Sequence, residues 1–343
     1  MSGLISLVEK GLVPDALTRR GVRQMLRVRA DRQRPAHCEA RSIEIEALVR
    51  ELGQGPIAVA TDQANAQHYE LPTAFFERVL GPHMKYSCGL WQEGTRDLEE
   101  AEARMLELSC RRAELENGQR VLELGCGWGA LSLWMAENYP DSSITAVSNS
   151  ASQRTFIEAR AAERGLNNLR VITADINDFS TEDTFHRVVS LEMFEHMRNW
   201  GELMDRVASW LRPGGRLFIH IFCHRDFPYF FEPDDGSWMA KHFFTGGLMP
   251  SDELPLRFQS ELNLLRRWRI NGTHYGRTCE AWLQRLDDAR KELAPILRDT
   301  YGEEARTWFH RWRIFFLASA EFFAWRRGEE WWVSHYLFEK PAH

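Results

Sequence analysis

The sequence predicts an α/β fold: a sheet built from strand–helix repeats, preceded by a helical segment and interrupted by an aromatic insertion. Three observations predict it. A strand-like run, Val121–Leu124, passes directly into Gly125, Gly127 and Gly129 and then into a helical pattern, Leu131-Ser-Leu-Trp-Met-Ala-Glu137. Strand-like and helical segments alternate from about 116 to 225, which implies a parallel sheet covered on both faces. From about 224 to 262 that alternation gives way to aromatic, turn-rich sequence.

The elements follow in order. Residues 1–115 read as a helical cap, with Ile43, Ile45, Leu48, Val49 and Leu52 at helical spacing. The cap is rich in arginine (Arg19, Arg20, Arg23, Arg27, Arg29, Arg32, Arg34), which reads as a solvated helix face or as a patch for an anionic partner. Residues 116–343 form the core. Its strands are expected at Arg120–Leu124, Ser143–Val147, Leu169–Thr173, Arg187–Leu191 and Arg216–Phe222, the last entered through the turn Arg212-Pro-Gly-Gly215. The insertion, about 224–262, is placed to lie as a lid over the carboxyl ends of the strands, where ligands of such sheets bind. A sixth strand over Leu264–Ile270, helices from about 278 to 325 and a seventh strand over Glu330–Phe338 complete the chain.

Composition bounds the partners. The net charge of −6 gives no basic footprint for nucleic acid. The six cysteines, Cys38, Cys88, Cys110, Cys126, Cys223 and Cys279, make no C-x-x-C pair, so no zinc site is expected, and their scatter suits reduced thiols in the cytoplasm. The start of the chain lacks a basic region before its apolar run, so no signal peptide is expected. No segment approaches 18 apolar residues, so no stable membrane insertion is expected either. A homodimer stays open. The 13 tryptophans and 20 phenylalanines fit either an aromatic core or a broad apolar cavity.

The glycine loop narrows the chemistry. Glycine allows a sharp turn and a close approach by a ligand, and the following helix offers free N–H groups. No Gly-Lys-Ser/Thr follows, which excludes a P-loop, and the spacing misses the dinucleotide pattern. With Glu123 two positions ahead, the form E-x-G-x-G-x-G resembles the first motif of class I S-adenosylmethionine (SAM) methyltransferases. His68-Tyr-Glu-Leu-Pro-Thr73, Met84-Lys-Tyr-Ser-Cys-Gly-Leu-Trp91, Leu191-Glu-Met-Phe-Glu-His196, Phe243-Phe-Thr-Gly-Gly247, Asn271-Gly-Thr-His-Tyr275 and Phe315-Phe-Leu-Ala-Ser-Ala-Glu321 resemble segments of the cyclopropane-fatty-acid synthase superfamily. Within it the chain is most similar to the coclaurine N-methyltransferase branch.

The resemblance implies a Rossmann-like, seven-stranded methyltransferase core, with SAM as methyl donor, S-adenosylhomocysteine as product and no metal. It also implies a cofactor set. Tyr86 and Ser87 close over SAM from the cap. Glu123, Gly125, Gly127 and Gly129 form the methionine end. Ser148, Asn149 and Gln153 lie at the ribose, and Asp175 and Ile176 at the adenine. The expected acceptor is a small, benzylisoquinoline-like aromatic or cyclic amine.

Methyl transfer to an amine is an in-line displacement that needs a neutral nitrogen, so a group must take the ammonium proton. The resemblance points to Glu195 and His196 for that work, with Glu192 shaping the pocket. Glu70 is a candidate second anchor for the amine. Tyr69, Phe222, Trp238, Phe243, Phe244 and Trp332 are candidate aromatic walls able to face a cation.

The rival is cyclopropane synthesis on unsaturated lipid acyl chains, a branch in which a cysteine, a glutamate, a histidine and a tyrosine hold a bicarbonate base. Cys88, Glu195 and His220 match three of these. The tyrosine is expected within Ile314-Phe-Phe-Leu317, where no hydroxyl is available. On that reading the anion site is incomplete, and N-methylation is preferred.

Overall fold

A computed structural model describes residues 2–32, 37–59, 71–231 and 238–342. The cap contains helices α1 (Ser2–Glu9), α2 (Asp15–Arg32), α3 (Cys38–Leu52), α4 (Thr73–Val79) and α5 (Leu98–Arg112). The helix α5 starts where Asp97 accepts a hydrogen bond from the Glu100 N–H at 2.9 Å, satisfying one of the donors that a first turn leaves open. Strand and helix then alternate: β1 (Arg120–Leu124), α6 (Ala130–Asn138), β2 (Ser143–Ser148), α7 (Ala151–Glu163), β3 (Leu169–Thr173), β4 (Phe185–Leu191), α8 (Trp200–Trp210) and β5 (Leu211–His224). A short 3-10 turn, Phe194–His196, joins β4 to α8.

The main sheet has seven strands in the order β3-β2-β1-β4-β5-β9-β8. The first five are parallel, while β9 (Trp331–Glu339) runs antiparallel to both β5 and β8 (Asn263–Ile270). The order reverses direction between β1 and β4, and the crevice beyond their carboxyl ends is the expected ligand position. The predicted strand boundaries differ mainly at β5. The turn Arg212–Gly215 does not precede that strand but is absorbed into it as an irregularity, with the register against β4 shifting between Phe185 and Arg187.

The insertion holds a two-stranded ribbon, β6 (Tyr229–Phe230) with β7 (Leu248–Met249), and the short helix α9 (Trp238–His242). Three helices follow β8: α10 (Gly272–Asp288), α11 (Arg290–Tyr301) and α12 (Ala305–Ala324). On α12, Phe309, Trp312, Phe316, Ala320 and Phe323 are buried at helical spacing. They join residues of α2, α4, α10 and the insertion in one aromatic core. A second core, under the other side of the sheet, gathers residues of β1, β4, β5 and α8.

Part of the arginine-rich run in the cap holds this assembly together. Arg19 pairs with Glu280 of α10 and Glu321 of α12, and Arg23 also reaches Glu321. Among the described residues, no helix is long and apolar enough to cross a membrane.

Candidate active site

The glycine loop leaves β1 in left-handed backbone conformations, with φ of 74° at Gly125, 51° at Gly127 and 80° at Gly129. The three glycines are needed for different reasons. A Cβ at Gly125 would meet Met193 at 2.7 Å, and one at Gly129 would meet Ile157 at 2.6 Å, so both are required by packing. At Gly127 an added Cβ would meet nothing within 4 Å. That open space before the N-terminus of α6 fits the methionine end of SAM.

Beyond β2, Ser148 donates to Gln153 Oε1 at 2.6 Å. The Gln153 Nε2 is buried and has no hydrogen-bond partner among the described residues, a donor that fits a ribose hydroxyl. Asn149 beside it is exposed. Asp175 accepts the Asn177 N–H at 2.8 Å, and Ile176 is buried after β3. Tyr86 packs from the cap against Phe76 and Trp282, and Ser87 accepts a bond from Lys85.

Glu123 differs in kind from the other cofactor candidates. It is wholly buried and accepts from the Ser132 hydroxyl of α6, and burial pushes its carboxyl up to about 8. It supports the loop from beneath.

Glu192 follows β4 in a left-handed conformation, φ 49°, that a non-glycine residue adopts only when its surroundings hold it there. Its N–H donates to the His220 carbonyl at 2.8 Å. One carboxylate oxygen, Oε1, accepts from the Cys88 N–H at 3.0 Å and lies 3.2 Å from His220 Nε2; the other accepts from the Tyr275 hydroxyl at 2.6 Å. Burial pushes the Glu192 carboxyl up, and the Lys85 charge with the Tyr275 and Cys88 hydrogen bonds opposes that shift.

Glu195 stands in a different environment. Its Oε1 accepts the Phe222 N–H at 2.7 Å, while its Oε2 is buried with no hydrogen-bond partner among the described residues. Burial first, and the neighbouring Glu192 charge second, raise its carboxyl well above the ordinary range. His196 ends the same turn, and burial lowers its imidazole to about 4, so it is neutral at pH 7.

Aromatic rings line this cluster. Phe244 lies 4.7 Å from the His196 ring and 5.8 Å from Phe222, and Phe323 stacks on Tyr275 at 4.2 Å. The structure thus brings Glu192, Glu195, His196, Phe222 and Phe244 together. Phe243 instead is fully buried in the aromatic core, stacked on Phe315 at 4.5 Å. Trp238 turns its indole N–H to Glu9 of α1, and Trp332 turns its own to Ser334. The contacts of these three rings are thus with the core, α1 and β9. Tyr69 and Glu70 lie outside the described residues.

Sequence reasoning missed Tyr275 and Lys85. The expectation that the site lacks a tyrosine hydroxyl is corrected: Tyr275, from α10, supplies one, and Phe315, Phe316 and Leu317 of α12 pack in the aromatic core. Its signal was present in the segment Asn271–Tyr275. There Asn271 caps α10 by accepting the Thr273 N–H at 2.9 Å. Gly272 lets the helix end approach so closely that a Cβ would overlap the Trp331 carbonyl. Lys85 is fully buried and holds the loop before Cys88 through bonds to Ser87 Oγ at 2.5 Å and the Cys88 carbonyl at 2.8 Å.

Residues 59–329 match the family described as mycolic acid cyclopropane synthetase. The chain belongs to that family. It is a SAM-dependent methyltransferase with the class I fold. Within the cyclopropane synthetase family, an (S)-coclaurine N-methyltransferase of Thalictrum flavum subsp. glaucum is 37% identical over 347 residues, covering 98% of this chain and 95% of that protein. A cyclopropane-fatty-acyl-phospholipid synthase of Escherichia coli (strain K12) is 32% identical over 245 residues, covering 71% of this chain and 60% of that one. A crystal structure of coclaurine N-methyltransferase bound to N-methylheliamine and S-adenosylhomocysteine superposes with a TM-score of 0.95 at 37% identity, covering 99% of both chains.

Proposed function

We propose that this chain transfers a methyl group from SAM to the nitrogen of a small aromatic or cyclic amine of the benzylisoquinoline kind. The observation that carries the reading is the unpartnered Glu195 Oε2, buried among aromatic rings and 27 residues in sequence from the Phe222 N–H that satisfies its other oxygen. A buried carboxylate oxygen without a donor is costly, and a substrate ammonium supplies both a proton and a charge. The coverage of the N-methyltransferase relatives, nearly end to end, supports the same reading.

The residues divide the work. Gly127 gives room for the methionine end of SAM, and Ser87, Ser148, Asn149, Gln153, Asp175 and Ile176 are placed to hold its remainder. When bound, SAM supplies an electrophilic methyl group on its sulfonium. In its ionised form Glu195 binds the ammonium and takes its proton, a transfer that its raised affinity for protons favours. Neutral His196 offers a second acceptor in the same turn. Phe222, Phe244 and Phe323 exclude water and present ring faces to the cation.

Glu192 separates this chemistry from cyclopropane synthesis. By the resemblance, Cys88, Glu195 and His220 match a cysteine, a glutamate and a histidine that hold bicarbonate in the cyclopropane branch, and Tyr275 adds a hydroxyl beside them. Here the Cys88 N–H, the His220 imidazole and the Tyr275 hydroxyl converge on the Glu192 carboxylate. The anion is therefore resident in the chain, and no added one is required.

Labelled SAM offered to cyclic secondary amines and, separately, to unsaturated phospholipid vesicles tests the proposal. The expected result is label on the amine nitrogen, indifferent to added bicarbonate. Label recovered as a methylene in acyl chains, with no amine product across the panel, would contradict it.

A further inference from the structure

The Glu192 carboxylate stands at one end of a line of side chains that crosses the sheet. His220 on β5 faces His335 on β9 in the strand register, and Trp268 on β8 faces His335 from the other side. His220 Nε2 lies 3.2 Å from Glu192 Oε1, His220 Nδ1 lies 2.9 Å from His335 Nε2, and His335 Nδ1 lies 3.0 Å from a guanidinium nitrogen of Arg112. Arg112 is the last residue of α5, and its guanidinium lies 5.0 Å from the centre of the Trp268 ring. Both imidazoles are wholly buried.

The chemistry of the two ends fixes the direction of every bond between them. A guanidinium has donors only, and a carboxylate has acceptors only. Burial, with the Arg111 charge, lowers Arg112 to about 10, so it remains a cation at neutral pH. His335 Nδ1 must then accept, which puts the proton of neutral His335 on Nε2. That N–H donates to His220 Nδ1, which puts the proton of His220 on Nε2, facing Glu192. The opposite polarity would set donor against donor at Arg112 and acceptor against acceptor at Glu192.

We infer that Arg112 and His335 are positioning residues for methyl transfer: they fix the tautomer of His220, so that its Nε2–H is always turned to the Glu192 carboxylate beside the acceptor pocket. The inference rests on the proposed role of Glu192 as the resident anion. It extends the site from the pocket, through two strands, to the end of a cap helix. Within each neutral ring the tautomer is free to change when its partners allow it. Arg112 removes that freedom. Without it, only the Glu192 carboxylate orders the line, and that order is lost when Glu192 takes a proton, together with the charge that raises the proton affinity of Glu195.

Imidazole 15N spectra of the full chain, assigned through His220→Gln and His335→Gln, read the tautomers directly. Both rings are expected as the Nε2–H form near neutral pH. In His335→Leu the line is cut and Glu192 alone orients His220, so His220 should show mixed tautomers once falling pH puts a proton on Glu192, and kcat should fall by about tenfold or more, the usual worth of one hydrogen bond to a charged group. KM for SAM should be unchanged. His335→Gln can accept from Arg112 and donate to His220, and should keep most of the turnover. Arg112→Met provides a second break at a site where the fold is less packed, and should mix the tautomers of both rings over the same pH range. An Nδ1–H form on either histidine of the parent protein would overturn the inference. So would a His220 signal that stays unmixed at every pH at which the fold holds, with turnover within about twofold of the parent, in His335→Leu or Arg112→Met. The tautomer reading does not depend on the acceptor: if no amine is methylated, the proposed function fails while the spectra still judge the line.

Discussion

The two ends of the proposed site are built on opposite principles. The cofactor end is mostly backbone: three left-handed glycines and a helix start, with one buried amide, Gln153 Nε2, left open. The acceptor end is mostly side-chain charge: two buried carboxylates three residues apart, one with donors on both oxygens and one with an oxygen left open. A backbone cradle depends on conformation and open space rather than on charged partners. A charged cluster depends on each donor, because removing one leaves a buried charge short of a partner. The difference teaches where variation is tolerated. The two ends should fail in separable ways, one in binding and one in rate.

The largest expected effect breaks the acceptor end. Glu195→Gln removes the proton acceptor and should lower kcat by about 10²–10⁴. SAM affinity in calorimetry should stay nearly intact. A variant with full turnover would move proton acceptance to His196 or elsewhere.

The next effect breaks the cofactor end. Gly127→Val places a β-branched residue at φ 51° and fills the open space before α6. SAM affinity should fall by at least about 30-fold, roughly 2 kcal/mol. Unchanged affinity would place the methionine end away from Gly127.

The smallest effect sharpens the comparison by separating support from contact. Burial raises Glu123 from 4.5 to about 8, so the folded protein holds a proton there that the unfolded chain has released. The stability this gives is complete below pH 4.5 and is lost as pH rises through 8. Glu123→Gln keeps an acceptor for Ser132 and escapes that loss. Thermal midpoints measured from pH 5 to 9 should therefore move in favour of the variant as pH rises. The gain should be at most about 1.4 kcal/mol for each pH unit crossed between those two values. A pH-independent difference would show that Glu123 stays ionised. A drop in SAM affinity in the same variant would make it a contact after all.

What could be read in the sequence follows the same division. The glycine loop was legible because its function is local: a strand, a turn and a helix lie within 20 residues. The seven strands were legible from their apolar runs. The turn Glu192–His196 was found because both carboxylates lie in one short segment. Tyr275 was not assigned to the site because it comes from a helix more than 80 residues later, and only the fold brings its hydroxyl to Glu192. Lys85 reads as an ordinary surface lysine until the loop closes over it. Phe243 and Phe244 show the limit of composition. Adjacent and chemically identical, they differ in place: Phe243 lies wholly inside the aromatic core, while Phe244 packs on that core and also meets His196.

The central claim is that the open oxygen of Glu195 receives an ammonium. Affinities of the protein with S-adenosylhomocysteine bound, measured for 1,2,3,4-tetrahydroisoquinoline and for its neutral oxygen analogue isochroman, test it most directly. The account predicts that the parent prefers the amine by at least about tenfold, near 1.4 kcal/mol, and that Glu195→Gln loses the preference while still binding isochroman. Equal affinities in the parent, or a preference that survives Glu195→Gln unchanged, would contradict it.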